Sequence, residues 1–115
     1  MTQRWSMMER WQKPLAAWQE RELPCEDKDK QTLRVMVGAA EELGEVARCV
    51  LKRSQEIRAT EHVWTSRAEE EIGDVCVFLM QLCALLGLDF EACIERAAQK
   101  VLGRDWSSKK EGEQP

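Results

Sequence analysis

The sequence predicts an all-α protein, a four-helix bundle protomer that assembles into a homo-oligomer. Three observations carry that expectation. Strand-type alternation is absent and tyrosine is missing altogether, while good helix formers fill the middle of the 115-residue chain. Glycine, proline and capping residues divide the sequence into four segments with short connections, as in a bundle. The stretch Val75–Leu86 (VCVFLMQLCALL) is apolar on nearly every side, more than one small protomer can cover alone. A second copy is therefore expected against this helix, in a homodimer or homotetramer.

The first amphipathic segment runs from about Trp5 to Arg21, with Trp11, Leu15 and Trp18 at spacings of four and three. Pro14 must kink it or mark the first turn of its second half. Leu23 to Asp27 is a connector. The second helix is expected from about Asp29 to Arg53, with Leu33, Val37, Ala40, Leu43, Ala47 and Val50 as its core stripe. Ser54–Thr65 lacks clean periodicity and reads as a loop. Ser66 followed by Glu69 is a capping-box signature, so the third helix is expected to start there and to end at Gly87. Asp89 then caps a fourth helix, Phe90 to about Leu102, which Gly103 ends. Residues 1–106 form one domain, and Ser107–Pro115 is polar and expected to be disordered.

Seventeen basic and twenty-one acidic residues give a net charge of −4, which argues against a general affinity for nucleic acid or anionic membrane. No apolar stretch is long enough to span a bilayer. Met1–Arg10 is charged and lacks the apolar core of a signal peptide, so a cytoplasmic protein is expected. The five cysteines form no C-x-x-C pair, and His62 is the only histidine, which disfavours zinc. Small buried hydrophobes in a reducing compartment are the expected role of the cysteines.

One phrase occurs twice. Glu41-Glu42-Leu43-Gly44-Glu45-Val46 returns as Glu70-Glu71-Ile72-Gly73-Asp74-Val75. Each copy carries carboxylates three apart, Glu42/Glu45 and Glu71/Asp74, on one helix face. On the second helix that face runs through Val35, Gly38, Glu42, Glu45, Cys49 and Lys52. On the third it runs through Glu71, Asp74, Phe78, Gln81 and Leu85. The acids thus border packed surface, where carboxylates brought together cost stability unless a cation joins them.

An all-oxygen donor set selects hard cations, Mg²⁺ first and Mn²⁺ as its substitute. Mg²⁺ shares its shell with water and phosphate, so a nucleotide or polyphosphate is the natural ligand. Dipole complementation accounts for acids near a helix N-terminus, such as Glu69, but not for Glu42 and Glu45 in mid-helix. Gly44 and Gly73 each cost about 1 kcal/mol against alanine, which points to a close approach of backbone or ligand. A duplicated helical hairpin with no chemistry is the other reading of the repeat. A di-iron bundle needs Glu-x-x-His motifs, which neither phrase has.

The paired E-E-[LI]-G-[ED]-V motifs, with Asp89 opening a further helix, resemble the MazG-like, all-α nucleoside triphosphate pyrophosphohydrolases, which include all-α dUTPases and dCTP pyrophosphatases. The resemblance covers roughly Trp11 to Trp106. It implies a divalent-metal enzyme that cleaves a nucleoside triphosphate to the monophosphate and pyrophosphate, with a house-cleaning role in the nucleotide pool. Glu42, Glu45, Glu71 and Asp74 would hold Mg²⁺ and act through a water that it activates, with Glu41 as an outer or proton-accepting residue. Lys52, then Arg53 and Arg58, match the basic residues that contact phosphate after the first motif, although a cation ending a helix also complements its dipole.

The fourth helix departs from the common pattern of a Lys and an Asn four apart, holding Ala97 and Val101 instead. Lys100 and Arg104 are expected to contact phosphate in their place. Trp11 and Trp18, or Trp64 in the loop, could stack a base, although core or interface packing is their commoner use. The alternative function is a non-catalytic helical oligomer that binds a nucleotide or a partner protein.

Overall fold

The computed structural model describes residues 6–55 and 58–104. Four α-helices and no strand occur among them: α1 (Lys13–Glu22), α2 (Lys28–Gln55), α3 (Glu61–Leu86) and α4 (Phe90–Leu102), after a π-helical turn at Met8–Gln12. Pro14 lies in the first turn of α1. Its ring crowds the carbonyl four residues back, and the wide turn closed by Lys13 N–H on the Met8 carbonyl carries the chain past that clash.

The expected punctuation sits where the helices begin and end. Asp27 Oδ1 accepts from the amides of Asp29 and Lys30 at 3.1 and 3.2 Å and starts α2. Asp89 Oδ1 accepts from Ala92 N–H at 3.2 Å and starts α4. Gly87 takes the left-handed conformation (φ 71°) and ends α3, with Leu88 N–H returning to the Cys83 carbonyl at 2.8 Å.

The start of α3 is a correction. Thr60, not Ser66, is the N-cap, its hydroxyl accepting from Val63 N–H at 3.4 Å. Residues 61–65, expected as loop, are helical because Trp64 is 3% exposed and needs that first turn to reach its packed position. Tertiary burial overrides a local capping signature here.

α2 and α3 form a hairpin packed along its length, and α1, the π turn and α4 gather on α3. Neither α1 nor α4 packs on α2, so the four helices form an open assembly within the protomer. Between α3 and α4 the chain bends by 105°. The main apolar cluster is Met80, Cys83 and Phe90, with Met7, Leu15, Cys76 and Leu79 against it. The apolar stretch of α3 is thus largely covered inside the protomer.

Gln12, 2% exposed, ties this end together. Its amide donates to the Leu88 carbonyl at 2.8 Å and accepts from Phe90 N–H, one of the free amides at the start of α4, at 2.8 Å.

The expected core stripe of α2 faces outward. Leu33, Val37, Leu43 and Val50 are 55–66% exposed, and Ala40 and Ala47 are exposed beside them. The buried residues are Gln31, Val35, Ala39 and Cys49. Two residues along a helix turn the face by about 200°, so the two stripes are opposite sides of α2. The side that packs on α3 is the seam with the acids. Among the described residues no single helix is long and apolar enough to cross a membrane. The expected tail, Ser107–Pro115, lies outside the described residues.

Candidate metal and substrate site

The hairpin brings the two acid motifs level with each other. One carboxylate oxygen from each of Glu42, Glu71 and Asp74 lies within 4.8 Å of the other two. Glu42 and Glu71 are half-buried and Asp74 is exposed, which leaves the group open on one side. A hydrogen bond shared with Glu42 raises the Glu71 carboxyl above its ordinary range, helped by desolvation and by the charges of Glu42 and Asp74.

Glu45 stands outside this group. It is exposed, and its carboxylate lies 3.9 Å from the Arg48 guanidinium. Glu41 is also exposed and borders a surface hollow with Lys30, Arg34 and Phe78 on another side of α2.

The close approach expected at Gly44 and Gly73 occurs elsewhere. A Cβ at either glycine would have no atom within 4 Å, whereas one at Gly38 would lie 2.5 Å from Phe78 Cε1. Gly38 and Phe78 therefore set the spacing of α2 and α3 one turn from the acids.

Beyond the acids, toward the α2–α3 connection, the seam turns basic. Lys52 is half-buried about 15 Å along α2 from Glu42. Arg53 is paired with Glu61 at the start of α3. The guanidiniums of Arg48 and Arg67 lie 5.9 and 4.9 Å from the Trp64 ring centroid. Sequence reasoning passed over both arginines, although Arg48 one turn after Glu45 was a visible signal.

Trp64 is buried between these arginines, which corrects its expected place in a loop. Trp11 and Trp18 are 48% and 43% exposed on the N-terminal helical segment, and Arg10 covers the Trp11 ring at 5.5 Å. Lys100 is exposed in the last turn of α4. Arg104 follows Gly103 and is half-buried, and Arg58, exposed, has φ 66° in the α2–α3 connection.

An open helical hairpin with acidic side chains facing each other across its seam defines an all-α protein with a candidate cation site. Residues 30–107 match the MazG nucleotide pyrophosphohydrolase domain, and the chain belongs to that family of nucleotide hydrolases. No curated protein and no solved structure matches the chain.

The matched segment begins in the first turn of α2 and contains both acid motifs, α3 and α4. The family is metal-dependent, and the residues present fit a hard cation. All three grouped side chains are carboxylates with an oxygen each within 4.8 Å of the other two, an all-oxygen donor set of the kind hard cations take.

Proposed function

We propose that this protein is a Mg²⁺-dependent pyrophosphohydrolase that converts a nucleoside or deoxynucleoside triphosphate and water to the monophosphate and pyrophosphate. The observation that carries the reading is the convergence of Glu42, Glu71 and Asp74 from two helices onto one point. Bound there, Mg²⁺ or Mn²⁺ would neutralise phosphate charge and lower the pKa of the attacking water.

The protein's own part is to hold the carboxylates in register and to place cations on the phosphate side. Glu45 completes the ligand set from the same helix, because a 3.9 Å contact between exposed groups holds it only weakly to Arg48. Lys52 and Arg48 flank the path of the leaving pyrophosphate. Removing the spent nucleotides of a cell's pool is the role this reaction serves, in the cytoplasm.

The outward stripe of α2 is the face for a second copy in a homodimer or homotetramer. Leu33, Met36, Val37, Leu43 and Val50 are each at least 50% exposed, on a helix with only α3 beside it. Sedimentation should show no folded monomer at micromolar concentration, and a stable monomer would reject this face as an interface.

The deciding experiment is pyrophosphate release from a panel of ribo- and deoxynucleoside triphosphates with and without Mg²⁺. Glu42→Gln and Asp74→Asn should abolish release while leaving the far-UV circular dichroism unchanged. Wild-type activity in either variant would exclude the assigned metal site. Nucleotide binding without any release would favour the non-catalytic reading.

A further inference from the structure

A cavity of about 520 Å³ lies at the other end of the hairpin, between α1, the α1–α2 connector, the start of α2 and the end of α3. Its volume is that of a small-molecule site. Three of its lining residues are glutamines from three different helices: Gln19 (8% exposed), Gln31 (8%) and Gln81 (5%). Their side chains make no hydrogen bond to any described residue. No side-chain nitrogen or oxygen among the described residues is sealed away without a partner, so these amides keep access to open space, which is the cavity they line.

Amides that face open space in this way are available to water or to a ligand. Gln12, nearby, shows the usual outcome, with both ends of its amide engaged. The arrangement at Gln19, Gln31 and Gln81 is that of a binding site awaiting its hydrogen-bond partners.

Its chemistry narrows the ligand. Each amide offers a donor and an acceptor, and none carries charge. Ala16, Ala84 and Leu85 supply small apolar walls, with no aromatic face for stacking. Glu20 and Glu26 at the rim outnumber Lys28 and disfavour phosphate. The fitting group is neutral, flat-sided and edged with mixed donors and acceptors.

Position gives the rest. Asp74, Phe78 and Gln81 lie along one face of α3, with Asp74 and Gln81 about 10 Å apart in axial rise. Gln31, Val35, Gly38 and Glu42 line the facing seam of α2, with Gln31 and Glu42 about 16 Å apart. The order along the hairpin is therefore neutral amides, then acids, then the basic residues around Lys52. A nucleotide with its phosphates at the acids has its base directed toward the glutamines.

We propose that the Gln19–Gln31–Gln81 cavity is the base-recognition pocket of this chain, reading the hydrogen-bonding edge of a nucleobase with amides instead of stacking it on tryptophan. The assignment rests on the pyrophosphohydrolase reading for its substrate. It also relocates base recognition from Trp11, Trp18 and Trp64 to residues that sequence reasoning left unassigned.

The test has two arms. In the first, Gln81→Leu and Gln31→Leu are assayed on the full nucleotide panel with Mg²⁺. Each lost hydrogen bond should raise KM for the preferred nucleotide about 10-fold and flatten the preference among bases, with kcat within about 2-fold of wild type. Panel kinetics identical to wild type in both variants would overturn the proposal. If one variant fails to fold, the other and Gln19→Leu carry the measurement.

The second arm needs no turnover. The side-chain amide signals of Gln19, Gln31 and Gln81 are followed by nitrogen-15 NMR on the wild-type protein as a non-hydrolysable deoxynucleoside triphosphate and Mg²⁺ are added. Shifts confined to these three signals and the seam support the pocket even if the protein releases no pyrophosphate, which would reject only the catalytic reading. An active enzyme whose three glutamine signals stay fixed would reject the pocket and leave the catalytic reading standing.

Discussion

Replacing Gly38 by alanine tests whether the α2–α3 spacing is set by one residue. A Cβ at this position would lie 2.5, 2.7 and 3.0 Å from Phe78 Cε1, Cζ and Cδ1. The ring must move or the helices must part, and overpacking of this kind costs about 1–3 kcal/mol. Alanine in place of glycine returns about 1 kcal/mol of helix propensity. The expected net loss is up to about 2 kcal/mol, or up to roughly 15 °C in Tm for a domain of this size. Gly44→Ala and Gly73→Ala provide the control, because neither Cβ would have an atom within 4 Å. Each should gain up to about 1 kcal/mol.

Thermal denaturation at one protein concentration, with pyrophosphate release measured in parallel, gives both readouts. Gly38→Ala should also lose activity, because parting the hairpin moves Glu42 away from Asp74. A Gly38→Ala protein as stable and as active as wild type would refute the reasoning, since Phe78 would then yield freely. If Gly44→Ala or Gly73→Ala gains stability but loses turnover, the open space beside that glycine belongs to the ligand.

Three further outcomes are expected. Gln12→Leu leaves Phe90 N–H and the Leu88 carbonyl without their partner and should cost about 2–3 kcal/mol, seen as a fall of roughly 10–20 °C in Tm. Glu71→Gln should make the metal-free protein more stable than wild type at neutral pH and remove the rise in Tm that Mg²⁺ gives the wild type; a Mg²⁺-dependent rise of wild-type size in this variant would exclude Glu71 as a ligand.

The pH dependence of that difference has a definite sign. The folded Glu71 carboxyl keeps its proton to a higher pH than the unfolded one, so its destabilisation is full above the folded pKa and relieved as pH falls through it. The Tm gap between Glu71→Gln and metal-free wild type should therefore narrow as pH falls from neutral in a fluorimetric melt, and a constant gap would count against the shared hydrogen bond.

The helices were legible because their boundaries are local chemistry. Pro14, Gly87, Asp89 and Gly103 act through φ angles and amide groups a few residues away, and each sits at the helix end it was expected to mark. The packed face of α2 was not legible from the same kind of signal. One side offers leucine and valine and the other offers glutamine, glycine and acids, so hydropathy alone selects the first. The protein packs the second on α3 because Val35, Gly38 and Ala39 are small enough for close helix approach. Trp64 was misplaced for a related reason, since its partner surface lies on α2, far away in sequence.

The site followed the same division. Acid spacing fixed which face of each helix Glu42, Glu71 and Asp74 share, and the fold had only to oppose the two faces. Glu45 shares the face but not the point, its exposed carboxylate lying 3.9 Å from the Arg48 guanidinium instead. The glutamines carried no signal at all, since an amide on a helix is ordinary until its neighbours prove to offer it nothing.

The order of groups along the hairpin gives the repeated acid motif its direction. Acids facing each other across the seam have no preferred orientation for a chain of phosphates, since the anionic end could point either way. The flanks decide it. On one side the seam runs into uncharged amides with Glu20 and Glu26 at the rim, and on the other into Arg48, Arg67 and Lys52. A triphosphate turned with its terminal phosphates toward the glutamines would meet Glu20 and Glu26 beside Lys28 and forgo Arg48, Arg67 and Lys52. On the proposed reading, the field of the protein would select one polarity before any hydrogen bond to the base forms, leaving the glutamines to choose among nucleotides and the basic end to orient all of them.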